Sequence, residues 1–456
     1  MGRSKGAAAR RRKVAVAGKA IAGPSIKADG PRRCPSLPPE LLANIHDRLG
    51  FLDRIAFAAV FAASSFSDVF SPSAPWLLLP GRNDENPKTA TLFSIADRRA
   101  ATVRTPYPAL RDHLVIGSSR GWLATADGRG QIYLVNPASG EQHALPHVAT
   151  MGVFLRTPCQ WFTVCVKRFM AARFGGGPPF KENAWGPEGH GARTVTADHM
   201  GVWFHRKVVL SVSPSRHGSY GTAMMILDSE FGAPAFATAE DAAWKLAPSR
   251  DGVEDAIYHD GQFYSVSYTG VVEAWQRVAE SGTFTSTAVT PRLTIEEGGS
   301  PCHRKYLAVA PGGRLMVVLK YAQVIKDLHI QDRWTCSFKV HVLGDDGQWK
   351  ETKDIGDVAL FVGVNNSLCV PTRGHPEIKA GCIYFTNDEL GVAKLCKTKD
   401  LSSWSNKSCN DEPINSDAQA LGVYSLKDGT VKKMEALRQQ YDMFSVPPVW
   451  ITPSVP

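Results

Sequence analysis

Two different spacings of apolar residues divide this chain of 456 residues. Near the amino end, Leu41, Leu42, Ile45 and Leu49 fall on one side of a 3.6-residue turn, which predicts a helix. Pro38 and Pro39 stand ahead of it, where proline is tolerated because the first N–H groups of a helix have no partner anyway. Asp53 precedes a second apolar run, Ile55 to Phe61, and is placed to cap it. From about residue 90 the helical period gives way to short apolar runs separated by Asp-Gly, Asn-Pro and Gly-Gly turns. The clearest group is 121–146. It predicts a strand at Trp122–Ala126, a turn through Asp127-Gly128, a strand at Ile132–Val135, a turn at Asn136-Pro137, and a third short strand.

The same grammar returns at 256–275, 306–343 and 358–426, and less regularly at 208–227. Second strands starting near 209, 262 and 314 are spaced by 53 and 52 residues. A period of that size in four-strand units predicts a β-propeller, of about six blades. Residues 91–104 and 449–452 would complete the last blade by joining the two ends of the chain, which protects sheet edges. The Gly/Pro-rich stretch Phe174 to Pro187 reads as an inserted loop. The resulting domain plan is a disordered basic tail (1–34), a helical domain (35–72), a linker (73–89) and the propeller (90–456).

Charge sharpens this plan. Residues 1–33 hold ten basic side chains and one acid, which accounts for the whole net charge of +9. The remaining 423 residues hold 42 basic and 42 acidic side chains, so the body shows no basic excess of the kind nucleic-acid binding brings. Arg10-Arg11-Arg12-Lys13 fits a nuclear localisation cluster, and the scarcity of acids fits an organelle transit peptide as well. The expected location is nucleus or cytoplasm, with import into an organelle as the alternative. No apolar run approaches 18 residues, so no membrane span is expected. Nine scattered cysteines, none spaced C-x-x-C, point to free thiols rather than a disulfide framework or zinc site.

The helical segment resembles an F-box: Leu37-Pro38 at its start, Leu41-Leu42 and Ile45 along the first helix, Arg48-Leu49 at its end, then Asp53 and Val60. It departs from that pattern after Val60, where Phe61 and Ser65-Phe66 replace the usual Cys and Trp-Arg. Farther on, the blocks Gly117 to Leu123, Asn136-Pro137, Tyr258 to Gly261, Leu360 to Gly363, Ile383 to Thr386 and Val449-Trp450 are similar to those of the plant F-box family with a C-terminal, KIB-type propeller. The resemblance covers about residues 36–454. It implies a non-catalytic subunit of a Skp–cullin–F-box ubiquitin ligase. The F-box residues Leu37, Pro38, Leu41, Leu42, Ile45, Arg48, Leu49, Asp53 and Val60 would bind a Skp-type adaptor and through it a cullin. The propeller would bind a protein target.

Motifs for chemistry are weak. Gly117-Ser118-Ser119-Arg120-Gly121 matches the G-x-S-x-G nucleophile elbow, which needs a strand before and a helix after; a strand is expected on both sides, so it reads as a turn. His143 and His147 are separated by Pro146, and Cys302-His303 lacks spaced partners, so no metal or other cofactor is expected. Candidate target contacts are Trp185 in the inserted loop and a polar cluster containing Asp255 and His259, for which turn residues serving their own backbone is the plainer reading. The other readings are a free-standing propeller with a degenerate F-box, carried into an organelle, and a propeller enzyme.

Overall fold

The computed structural model describes residues 37–49 and most of 74–452; both termini, most of 50–73, the ranges 175–191, 389–420 and 435–447, and shorter stretches between strands lie outside the description. Among the described residues seven sheets are formed, and six of them make the blades of a propeller. Blade one joins Val449–Ile451 to Trp76–Leu79, Thr89–Ser94 and Arg99–Arg104. Blades two to five begin with the inner strands Leu114–Ser119, His205–Leu210, Val253–His259 and Cys302–Val309, each followed by three antiparallel strands. Blade six has five strands, starting at Val358–Val362.

Ring closure by the two chain ends is therefore as expected, and Val358–Val362 is found where the apolar run placed it. Two expectations need correction. Trp76–Leu79 lies in the expected linker 73–89, yet it is a fully buried strand that pairs with Val449–Ile451. Its four apolar residues are too short a run to separate strand from helix by period. The repeat was also out of register. Residue 209 belongs to the inner strand of blade three, whereas 262 and 315 open second strands. Inner strands of blades three to five start at 205, 253 and 302, and blade six opens at 358.

The expected loop Phe174 to Pro187 lies, beyond Phe174, outside the described residues, but the insertion between blades two and three carries structure on both sides of it. It contains a three-stranded sheet (Phe154–Leu155, Trp161–Cys165, Ala192–Thr196) and a helix, Val166–Arg173. Phe154, Val164 and Phe169 join the apolar cluster formed by Trp122 and Val208 of the two flanking blades. The blades themselves touch directly: a Cβ on Gly117 of blade two would lie 2.6 Å from the Val208 carbonyl oxygen of blade three. At its far end the insertion is pinned by Arg173, whose Nε donates to the Ser249 carbonyl at 3.4 Å while its own carbonyl accepts from Ser249 N at 2.9 Å.

Candidate functional site

The amino-terminal helix α1 spans Pro39–Arg48. The Pro38 carbonyl accepts from the N–H groups of Leu41 and Leu42 at 3.0 and 3.1 Å, so proline ahead of the helix opens it as expected. Glu40 lies in the first turn, where a negative charge is favoured by the helix dipole. The apolar strip divides. Leu42 is fully buried, while Leu37, Leu41 and Ile45 are 38%, 50% and 38% exposed. Leu41 and Ile45 stand four residues apart and so share one face of the helix, with Leu37 just ahead of it. Pro38 and Arg48 are exposed and Leu49 is half-buried. Asp53 is exposed and has helical backbone, so it sits inside a helical turn rather than ahead of it. Val60 lies outside the described residues.

At the centre of the propeller the blades are joined by buried charge. Lys207 of blade three and Asp255 of blade four are both without exposed side-chain surface and form an ion pair. Asp255 Oδ2 also accepts from Leu307 N of blade five at 2.8 Å. Its neighbour Glu254 takes two hydrogen bonds from Lys305, one from the backbone N at 3.0 Å and one from Nζ at 2.8 Å. Between blades five and six, Asp388 receives Arg304 at 2.6 Å, Lys320 at 3.0 Å and the Tyr306 hydroxyl at 2.8 Å. Burial alone would raise the Asp388 pKa; the charges of Arg304 and Lys320 outweigh it and hold the carboxyl well below its usual range. Burial pushes the Lys207 pKa down, against the pull of Asp255.

The axis of the ring is filled by the chain itself. In blade six, Leu368–Pro371 turns back along the inner side of Val358–Val362, which leaves Val358–Val362 parallel to Cys382–Thr386. The turn between the two inner strands, residues 363–367, touches blades that are not its neighbours. Val364 is fully buried in the cluster shared by blades two and three. Asn366 donates from N to the Ser118 carbonyl and from Nδ2 to Ser119 Oγ, both at 2.9 Å. Ser367 Oγ donates to Asp255 of blade four at 3.4 Å. Only a turn lying across the axis reaches blades two, three and four at once. Gly363 makes the entry possible, since a Cβ there would lie 2.1 Å from Thr386 Oγ1 and its φ of +156° suits glycine.

Sequence-predicted candidates are scattered by this arrangement. Asp255 is neither a turn residue nor part of an exposed cluster; it is buried between blades, because a carboxylate with an ammonium and an N–H donor around it is stable there. His259 is half-buried on the turn with Asp260 and Gly261, whose φ values are +45° and +80°. Beside it, the Arg120 guanidinium of blade two lies over the Tyr258 ring at 5.5 Å. Trp185 lies outside the described residues. Ser119 is followed by a strand and its Oγ accepts from Asn366, so the G-x-S-x-G match is a turn. His143 packs on Trp122 with ring centres 5.2 Å apart, and His147 Nδ1 accepts from Ala149 N at 3.1 Å. Among the described residues no group of three or more His, Cys, Asp or Glu is placed to hold a metal, and no helix is long and apolar enough to cross a membrane. Cys165, Cys336, Cys369 and Cys382 are free.

The axial network was missed in the sequence although it left a trace. Consecutive inner strands carry adjacent charged pairs of opposite sign, Glu254-Asp255 in one and Arg304-Lys305 in the next, inside otherwise apolar runs. Charged residues within two successive inner strands signal pairing across a blade interface.

A six-bladed propeller with this sequence belongs to the KIB1-4 beta-propeller family, whose profile matches residues 92–425. A protein of Arabidopsis thaliana named as an F-box protein is 26% identical over 191 residues, 41% of this chain and 46% of the relative. The chain thus spans about half the length of the curated relative it matches. Among solved structures, a Bacteroides fragilis protein described as a 6-phosphogluconolactonase is similar at 9% identity, covering 83% of this chain and 98% of its own, with a TM-score of 0.33. The Swd1 propeller domain of Myceliophteria thermophila is similar at 8% identity, covering 58% and 79%, with a TM-score of 0.26. Likeness at that level says nothing of chemistry.

Proposed function

We propose that this chain is the target-recognition subunit of a Skp–cullin–F-box ubiquitin ligase, acting as a non-catalytic adaptor. The observation that carries the reading is the set of exposed apolar side chains, Leu41 and Ile45 on one face of the helix and Leu37 just ahead of it, that precedes a propeller of this family. Three large apolar side chains left half in water at one short segment fit a surface kept for a partner. On this reading Leu37, Leu41, Ile45, Leu49 and Val60 dock on a Skp-type adaptor, Pro38 fixes the entry of the chain, and Arg48 and Asp53 lie at the rim; Leu42, expected among the docking residues, is fully buried and instead anchors the helix from its inner side. The cullin joins through the adaptor. The propeller holds a target protein so that its lysines meet a ubiquitin-loaded enzyme, and the acceleration comes from proximity alone.

The filled axis supports the non-catalytic part of this reading. A propeller enzyme would need converging ionisable groups open to substrate along the channel, and here those groups are buried and paired with one another. The site of action is the nucleus or cytoplasm.

The test is co-purification of the full chain with a Skp-type adaptor beside the double variant Leu41→Asp, Ile45→Asp. Stoichiometric binding by the wild type, lost in a variant whose propeller still unfolds at the same temperature, is expected. Unchanged binding by the variant would sink the adaptor role of α1.

A further inference from the structure

Between blades five, six and one lies a cleft of about 1500 Å³, separate from the axis and from α1. We propose that the propeller grips its target here, as an acidic polypeptide segment carrying apolar side chains. The proposal rests on the target-receptor reading above and adds to it a place and a ligand chemistry.

The floor is apolar. Ile95, Cys382 and Tyr384 are buried, and Val423 and Met434 are half-buried beside them. The rim is cationic. Lys353, Lys379, Lys427 and Lys432 line the cleft and are all exposed, and among the described residues none has a carboxylate within ion-pair distance of its Nζ.

Five cations, counting Arg98, line the cleft against three carboxylates, a net surplus of positive charge. Glu377 pairs with Arg98 at 2.6 Å, Asp354 Oδ1 accepts from Gly356 N at 2.9 Å, and Asp428 Oδ2 accepts from Ser425 Oγ at 2.8 Å. The surplus is local, because the chain beyond its first 33 residues carries equal numbers of acids and bases. Lys379 and Lys432 are close enough to the floor to oppose the rise in the Cys382 thiol pKa that burial causes.

Size decides the ligand class. Clefts for small molecules run to roughly 300–1000 Å³, so this one suits a stretch of polypeptide better than a cofactor. A net positive rim above an apolar floor complements carboxylates alternating with apolar anchors, and such rim charges act chiefly on encounter and on partner choice.

The full chain is titrated, by fluorescence anisotropy, into a fluorescein-labelled peptide of glutamates flanking phenylalanine and leucine. A counterpart with lysines in place of the glutamates is titrated in parallel. The acidic peptide is expected to bind, and to bind more weakly as salt is raised. Lys379→Glu with Lys432→Glu is expected to lower its affinity about tenfold or more and to turn preference toward the basic counterpart. Both side chains are exposed, so the melting temperature of the variant should match the wild type. Equal affinity for the two peptides, binding of neither, or indifference to the charge reversal would each overturn the proposal. Self-association of the unlabelled chain that the same reversal abolishes would assign the cleft to a second copy instead and overturn it too. Adaptor binding is measured on the same preparations. If it persists without peptide binding, the cleft fails alone; if peptide binding persists without it, the ligase reading fails alone.

Discussion

Replacing Asp255 by alanine tests the idea that buried charge holds the blades together. The side chain has no exposed surface and serves three blades besides its own. Its loss leaves the Lys207 ammonium fully buried without a counter-charge, and breaking a buried pair in this way costs about 3–5 kcal/mol. The Leu307 N–H loses its acceptor as well, worth about 1–3 kcal/mol when buried. Against a total stability of roughly 5–15 kcal/mol, Asp255→Ala should leave the propeller marginal.

The double variant Lys207→Met with Asp255→Asn removes both charges and keeps an oxygen for Leu307 N. Because a buried pair gains little over neutral groups that fit the same space, it should cost about 1–2 kcal/mol, less than the single change. Urea unfolding followed by tryptophan fluorescence gives the midpoints, and hydrogen exchange at the Leu307 amide gives a local reading. An Asp255→Ala protein within about 1 kcal/mol of wild type, or a double variant as damaged as the single one, would refute the reasoning.

Two further outcomes follow from the same structure. Trp450 is fully buried in the ring-closing strand, with its ring centre 5.0 Å from that of Phe361 in blade six; Trp450→Ala should cost about 3–5 kcal/mol, and limited proteolysis should then cut first in blade one. Cleavage elsewhere at wild-type rates would contradict that. Asp241 accepts from Thr238 N and Oγ1 and from Lys245; burial works to raise its pKa, but these donors lower it from 3.8 to about 2. The unfolded chain therefore binds more protons between those values, so this contribution to stability is present above 3.8 and lost as pH falls through about 2. Asp241→Asn should flatten the stability–pH curve in that window, measured by thermal melts; an unchanged slope would count against the assignment.

Much of the propeller was legible because its strands obey local rules. In blade two, Asp127 accepts from the N–H groups of Arg129 and Gln131, and Asn136 from that of Ser139, which is why Asp-Gly and Asn-Pro announced the turns. Ring closure was legible from the lone apolar run at 449–451, although the strand it pairs with, Trp76–Leu79, was too short to stand out from the linker. The axial turn was not. Gly363 to Ser367 looks like any tight turn, and its path across the ring depends on contacts with residues more than a hundred positions away in sequence, at Ser118 and Asp255. Asp255 misled for a related reason. A carboxylate beside turn residues reads as exposed unless the buried lysine that faces it, 48 positions earlier, is known. On α1 the period showed which residues share a side, but it did not separate Leu42, which is buried, from Leu41 and Ile45, which are open.

The turn lodged across the axis makes this ring a solid disc. A hollow ring can flex by ovalising, each blade tilting a little toward the void; a disc with a spoke bonded to blades two and four has no void to tilt into. If one rim of such a body is tethered and another grips a load, the gap between tether and load is set by the disc's own diameter and not by how it breathes. The reach of the assembly then becomes a fixed length.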